Sequence, residues 1–453
     1  MSGEGSGERR REGRRSRCGE AHGPDGVFWR VRNLLASLAN RGAEPVRRTP
    51  ALQPHRRALW ALAAAAFLIQ YEPALSLAAE QQEIAIGYLR ETRPKVSLSL
   101  IDLPAPNNGV AGALLAIDDN NTTGRFNGQG FALADATLAP DEPDPGRTLD
   151  MLAEKGAAFV IADLSAATLL KAADAARARR MTLLNIGAPD DRLREEDCRA
   201  DVIHVAPSRG MLADGLAQYL VWKRWSRWLL LSGSHDSDKR FADALRRSAR
   251  RFGAKIVAER EFVDTGGARR TDSGIAEIQR QMPAATQGAP DYDVVMAADE
   301  SEVFAGYLPY RTWDPRPVAG SAGLVPTSWD AAFDQWGAVQ LQSRFARAFR
   351  RAMTALDMNA WTAARMIGEA AARTNSNDPS VLGAYLRGPD FSVAAFKGQA
   401  LTIRGWNLQL RQPILLFDGR NTVSVSPQEG FLHPLTTLDT LGADQPETRC
   451  KLQ

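Results

Sequence analysis

The sequence predicts an α/β protein with two lobes, each built on a parallel sheet, and two observations carry that reading. From residue 84 onward short apolar runs alternate with longer segments whose apolar residues recur every three or four positions, the pattern of βαβ units. After about residue 206 the alternation starts afresh, and a chain of 453 residues is long enough to bury two or more cores.

The first series reads as strands at 84–89 (IAIGYL), 131–138, 158–162, 181–186 and 202–206, with helices at 109–121, 146–155 and 166–180. The second reads as helix 211–225, strand 228–232 (WLLLS), helix 239–252, strand 255–262, helix 273–281 and strand 293–297 (DVVMA). A helix at 302–310 and a short strand at 318–322 follow. Then the texture changes to helices rich in Ala and Arg at 339–356 and 362–374 and a short helix at 379–387. The end is β-like, with strands at 400–403, 412–417 and 421–425 and turns at Trp406-Asn407 and Asp418-Gly419. Trp222, Trp225 and Trp228 are three apart, and at that spacing aromatics are expected to cover a core or a lobe interface rather than to hold a ligand.

The formal charge of +3 is not spread over the body. Residues 1–57 hold 13 Lys and Arg against 6 Asp and Glu, so residues 58–453 are mildly acidic. That distribution gives no compositional basis for a nucleic-acid groove or for an anionic membrane surface as partner. Residues 1–50, rich in Gly, Arg, Ser and Glu, read as disordered or as lying upstream of the true start. Residues 51–79 read as a signal peptide: Arg56 and Arg57, an apolar run over 58–71, then small residues ending Ser76-Leu77-Ala78, with cleavage after Ala78 or Ala79. The run falls short of the roughly 20 residues that cross a bilayer. Export to the periplasm is therefore expected.

Three cysteines occur, Cys18 in the front segment and Cys198 and Cys450 in the body. In an oxidising compartment a single long-range disulfide between Cys198 and Cys450 would tie the C-terminal tail to the 198 region; two free thiols are the alternative. No CxxC or Cys/His spacing points to a zinc site.

Catalytic signatures are missing from the chain: no GxSxG, HExxH or GxxxxGK[ST], and no GxGxxG after the first strand, which runs instead into Arg90-Glu91-Thr92. Outside the front segment only His204, His235 and His433 remain for acid–base work. The expectation is a protein that is not an enzyme, with no catalytic residues and no resident cofactor. Open parallel sheets bind ligands at the carboxyl ends of their strands, near helix N-termini, and that rule nominates loops. Asp163, Ser165 and Thr168 follow the third strand, with Ser165 placed either to cap the next helix or to face a ligand oxygen. Asp190 and Asp191 follow the fourth, His235 and Asp236 follow the strand at 228–232, and Asp299 and Glu300 follow the strand at 293–297. Acid-rich loops at strand exits in both lobes predict a cationic ligand or an amine.

The order of elements over residues 82–430 resembles the type I periplasmic solute-binding proteins, the family of leucine/isoleucine/valine-binding receptors. The strings DLSAATLL (163–170), EEDCRADVIHVAPSRGMLADGLAQYL (195–220), SGSHDSDKRF (232–241) and RGWNLQLRQPILL (404–416) look like a narrower branch, the ABC-transporter substrate-binding proteins associated with PQQ-dependent alcohol oxidation. The resemblance implies two Rossmann-like lobes joined by crossovers: 80–206 with 330–390, and 207–329 with 391–430, followed by a tail at 431–453. It also implies a monomer that closes on a small ligand and then docks on an ABC permease in the inner membrane. In amino-acid-binding relatives a serine or threonine takes the ligand carboxylate, a role matched by Ser165 and Thr168, and an acid takes the amine, matched by Asp299 or Glu300. The acidic loops at 190–191 and 236–238 depart from an amino-acid pocket, so the ligand expected is an alcohol-derived organic molecule, or a lanthanide or other metal or its complex, carried as cargo. A ligand-sensing receptor of the same fold, or an exported hydrolase using His235, are the rival readings.

Overall fold

A computed structural model of the chain describes residues 82–92, 104–139, 144–266 and 272–452; the N-terminal extension, the leader and Cys18 lie outside the described residues. The first half is laid down as β1 (Gln82–Glu91), α1 (Val110–Asn127), β2 (Gln129–Leu138), α2 (Gly146–Glu154), β3 (Phe159–Asp163), α3 (Ala166–Ala178), β4 (Thr182–Asn185) and β5 (Val202–His204). Its five strands form one sheet in the order β2-β1-β3-β4-β5, with every pairing parallel. Because successive side chains on a strand point to opposite faces, each strand feeds two cores. Phe159 and Ile161 of β3 pack on one side with α1, whereas Val160 and Ala162 pack on the other with α2 and α3.

The second half repeats the plan with α4 (Arg209–Trp222), β6 (Arg227–Gly233), α5 (Asp236–Phe252), β7 (Lys255–Phe262), α6 (Asp272–Thr286), β8 (Val294–Ala298) and β9 (Val318–Gly320). The sheet order is β7-β6-β8-β9, again all parallel. Trp228 and Leu230 of β6 face the core beneath α4 and α5, and Leu229 and Leu231 face the opposite one. Trp228 is thus a buried strand residue, whose indole N–H donates to the carbonyl of Trp225, while Trp222 at the end of α4 is exposed.

The remaining elements are β10 (Val325–Thr327), α7 (Ala338–Phe349), α8 (Ala355–Thr374), α9 (Pro379–Arg387), β11 (Val393–Ala394), β12 (Ala400–Leu401), β13 (Ile414–Phe417) and β14 (Thr422–Ser426). Helices α7 and α8 return to the first sheet, where Leu341, Phe345, Met358 and Ile367 join its core. Helix α8 packs tightly against α1, and Gly112 makes that approach possible: a β-carbon there would collide with the Asp357 carbonyl.

The break expected between helices at 339–356 and 362–374 falls earlier, so that the first helix ends at Phe349 and the second begins at Ala355. Arg350 takes a left-handed conformation (φ 59°) and ends α7, and Thr354 opens α8 through a capping box with Asp357. Asp357 is fully buried and also accepts from the Gly109 N–H and from Arg351, which fixes the start of α8 ahead of it rather than after it. The segment at 302–310 is a 3-10 helix confined to Ala305–Tyr310.

Three crossings join the sheets. Core membership changes between Val205 and Met211, between Leu324 and Trp329, and between Leu410 and Ile414. Strands β10, β13 and β14 form an antiparallel sheet at this junction. Within β13, Ile414 and Leu416 point into the core of the second sheet and Leu415 into that of the first. The crossings are fastened by buried polar side chains. Gln409 donates to the carbonyls of His204 and Ala206 and accepts from Arg194, and Gln412 donates to the Val205 carbonyl and accepts from Lys397.

The tail is anchored as well. Leu438 and Leu441 are buried in the second core, Arg404 pairs with Asp439 at 2.9 Å, and Cys198 and Cys450 form a disulfide with their Cα atoms 5.6 Å apart.

Candidate functional site

The strand order reverses direction between β1 and β3 in the first sheet and between β6 and β8 in the second, so the carboxyl ends of these strands mark the crevices where such sheets bind ligands. At the first point Ser165 caps α3, its hydroxyl accepting from the Thr168 N–H and lying 2.9 Å from the Thr168 hydroxyl. The Ser165 N–H and hydroxyl both donate to the carboxylate of Glu91, at 2.6 and 3.2 Å. Asp163 ends β3 in register with Arg90 of β1. Burial, with the Asp163 charge adding to it, pushes the Tyr88 phenol far above its ordinary range and keeps it neutral.

At the second point Asp299 does not face outward. Its buried carboxylate accepts from the N–H groups of Val303, Phe304 and Ala305 at 2.9, 2.7 and 2.7 Å, and so starts the 3-10 helix. Asp238, also buried, accepts from the His235 N–H and from Ser301. The His235 ring is 2.7 Å from Asp264, and Asp236 is exposed in the first turn of α5.

Between the two points lies a charged network that spans the sheets. Asp190, at the exit of β4, is 3.0 Å from one Arg209 nitrogen, and Glu300, at the exit of β8, accepts from two others at 2.8 and 2.7 Å. Arg240 of α5 adds a second contact to Asp190 at 3.2 Å and approaches Asp236 at 3.9 Å. Asp191 turns aside to accept from the Gly210 N–H at the start of α4. Burial raises the Glu300 carboxyl in spite of its arginine partner, whereas for Arg209 the paired carboxylates outweigh burial and hold the cation firmly charged. Beside the network a cavity of about 490 Å³ is walled by the loop 190–196, by Arg240, Ala244 and Arg247 of α5, and by tail residues Ala443, Glu447 and Arg449.

Of the sequence-nominated residues, the structure joins Asp190, Asp236 and Glu300 through arginines, groups Asp163, Ser165 and Thr168 at the other strand exit, and sets Asp299, Asp191 and His235 to local tasks. Among the described residues no three His, Cys, Asp or Glu side chains converge to hold a metal ion. Sequence reasoning missed Arg209, Arg240 and Glu91. The signal for Arg209 was available: Ser208 precedes it as an N-cap, which places the first helical residue at a strand exit.

Two open parallel sheets, each wound on both faces and joined by three crossings with their strand exits meeting at one ion network, define a bilobal binding fold. It is the periplasmic binding protein fold, and residues 105–308 match the model of the periplasmic binding protein family. A branched-chain amino acid ABC transporter periplasmic ligand-binding protein from Burkholderia xenovorans LB400 shares the fold at a TM-score of 0.63 and 16% identity, over 82% of this chain and 99% of that one. A leucine-, isoleucine-, valine-, threonine- and alanine-binding protein from Brucella ovis in its closed conformation aligns at 0.58 and 14% identity, over 82% and 99%. An ABC transporter solute-binding protein from R. palustris in complex with benzoate aligns at 0.57 and 12% identity, over 82% and 100%. No curated protein matches the sequence.

Proposed function

We propose that the chain is the substrate-binding protein of an ABC importer, exported to the periplasm, capturing a small ligand between its lobes and delivering it to an inner-membrane permease. The observation that carries this reading is the meeting of Asp190 and Glu300, from the strand exits of different sheets, on the single guanidinium of Arg209. Exits that converge in this way leave a guest contacts to both lobes, and a ligand that contacts both lobes favours the shut form by its differential affinity for it. Similarity of fold and of residues 105–308 to periplasmic binding proteins supports the same role. No helix among the described residues is long and apolar enough to cross a membrane.

An organic ligand suits the geometry better than a bare cation, because Asp190, Glu300 and Asp299 are spent on arginines and backbone N–H groups rather than left to coordinate. A link to PQQ-dependent alcohol oxidation, with an alcohol-derived guest, rests on the strings at 163–170, 195–220, 232–241 and 404–416. The test is a thermal-shift and small-angle scattering screen of the purified chain against amino acids, alcohols, aldehydes, acids, PQQ, calcium and lanthanides. One class should stabilise the protein by about 2.7 kcal/mol at a hundred times its Kd and reduce its radius of gyration. Stabilisation by none of them, or turnover of any, overturns the reading.

A further inference from the structure

Away from the strand exits a cavity of about 990 Å³ opens beside the first core, between α1, α8 and the turn 395–399 that joins β11 to β12. Small-molecule pockets occupy roughly 300–1,000 Å³, so the space suits a ligand of moderate size. Three aromatic side chains wall it: Trp336, Trp361 and Phe396, the last two with ring centroids 5.5 Å apart. Trp336 and Phe396 both take the left-handed backbone region, at φ 49° and 54°, which large side chains avoid. Each ring lies over a glycine. A β-carbon on Gly398 would come within 2.5 Å of the Trp336 indole, and one on Gly337 would stand 3.4 Å from the Phe396 ring. Burial does not repay the strain at Trp336, which is 50% exposed. Two strained aromatics at one cavity are the pattern of a ligand clamp.

The charges around the cavity are unevenly matched. Arg344 pairs with Asp119, whose other oxygen accepts from the Trp361 indole N–H, and Asp118 is exposed. Arg365 of α8 has no such carboxylate. Its guanidinium donates to the neutral side chain of Asn120 and forms no ion pair among the described residues, while the neighbouring Glu369 is engaged by Arg373. Burial works against the Arg365 charge, and Asp119 and Glu369 offset that only in part. Lys397, buried in the turn, also has a neutral partner, Gln412. The wall therefore holds a partly desolvated cation without a counter-ion, next to flat aromatic faces.

We propose that this cavity is a second binding site, for a flat aromatic molecule bearing a carboxylate. The ring packs against Trp336 and Phe396, and the carboxylate takes the Arg365 N–H groups that Asn120 leaves over. The site shares no residue with the network around Arg209, and it stands or falls independently of the importer reading.

The test is calorimetry on the full chain at pH 7 with 2-naphthoate and its neutral counterpart 2-naphthamide. Wild type should bind naphthoate at least about tenfold more tightly than naphthamide. Arg365→Gln should abolish that preference while leaving naphthamide affinity unchanged, which also reports that the variant is folded. Arg365→Lys, which keeps the charge but loses the planar fork, should retain part of it. Trp336→Leu, at a half-exposed position, should weaken both ligands by about two- to tenfold. The proposal is overturned if wild type binds no naphthoate at millimolar concentration, or binds naphthamide equally well. Naphthoate bound with wild-type affinity by Arg365→Gln and Trp336→Leu would place it elsewhere on the molecule and overturn the proposal too.

Discussion

Asp190 and Glu300 belong to different sheets and are 110 residues apart in sequence, yet both rest on Arg209, the first residue of α4. The arginine is nearly fully buried and its fork is used on both sides. Arg209→Met should therefore leave Glu300 without its cation and Asp190 with Arg240 alone, and lower stability by about 3–5 kcal/mol. The same variant should increase the radius of gyration of the unliganded chain as the carboxylates repel one another. Denaturant unfolding and scattering measure the two effects, and an unchanged radius would show that the network does not hold the lobes together. Arg209→Lys, which keeps the charge but cannot form the paired hydrogen bonds, should lie between.

Asp299 offers a contrast, because its partners are all backbone. Asp299→Ala should orphan three buried N–H groups and cost about 3–5 kcal/mol in the denaturant midpoint, with the 3-10 helix Ala305–Tyr310 losing hydrogen-exchange protection first. A fully stable variant with altered ligand affinity would assign Asp299 to the ligand instead.

The disulfide closes a loop of 252 residues. Cys450→Ser should reduce stability by about 2–5 kcal/mol and free the end of the tail. Trypsin should then cut at Arg449 faster than in wild type, where the Arg449 N–H is held by Glu195 at 2.6 Å. Equal digestion rates would mean that the tail is held by its other contacts.

Lys397 is buried with Gln412 as its hydrogen-bond partner at 2.5 Å, and burial pushes its ammonium down to about 7. Below that pH the lysine is charged in both states and the full cost of burial is felt. Between about 7 and about 10.4 the unfolded chain holds a proton that the native protein lacks, so this group makes stability rise with pH, by about 5 kcal/mol in all. Above that range its slope vanishes. Lys397→Met removes the dependence but leaves the Gln412 oxygen unpaired, at about 1–2 kcal/mol. The variant should be more stable than wild type at pH 6 and less stable at pH 10. A difference that does not change sign over that range would contradict the burial of the amine.

Much of the fold could be read from the chain, and the reason is visible in particular elements. Strands β3, β6 and β8 are short apolar runs buried on both faces, and no other local structure uses such runs between amphipathic helices so economically. The break between α7 and α8 was expected too late in the chain, at 357–361, because the apolar period continues through its true position between Phe349 and Ala355. Its cause is a polar residue, Asp357, whose buried partners Gly109 and Arg351 are not neighbours in the pattern. The site shows the same limit. Strand exits could be located from sequence, so Asp190, Ser165 and Glu300 were nominated. What each carboxylate does there depends on who reaches it: Arg209 for Glu300, three backbone N–H groups for Asp299, and Ser165 for Glu91. Those choices are made by tertiary packing, and no spacing in the chain encodes them.

Strand β13 gives the junction between the sheets a mechanical character. Its alternate side chains are sunk in two different cores, so a swing of one half of the molecule against the other must turn about this short strand rather than slide along it. Such an axle permits rotation and resists translation, which confines the travel of the two halves to a narrow arc. Changes at Leu415 and at Leu416, adjacent in the chain, would then loosen opposite bearings of the same pivot.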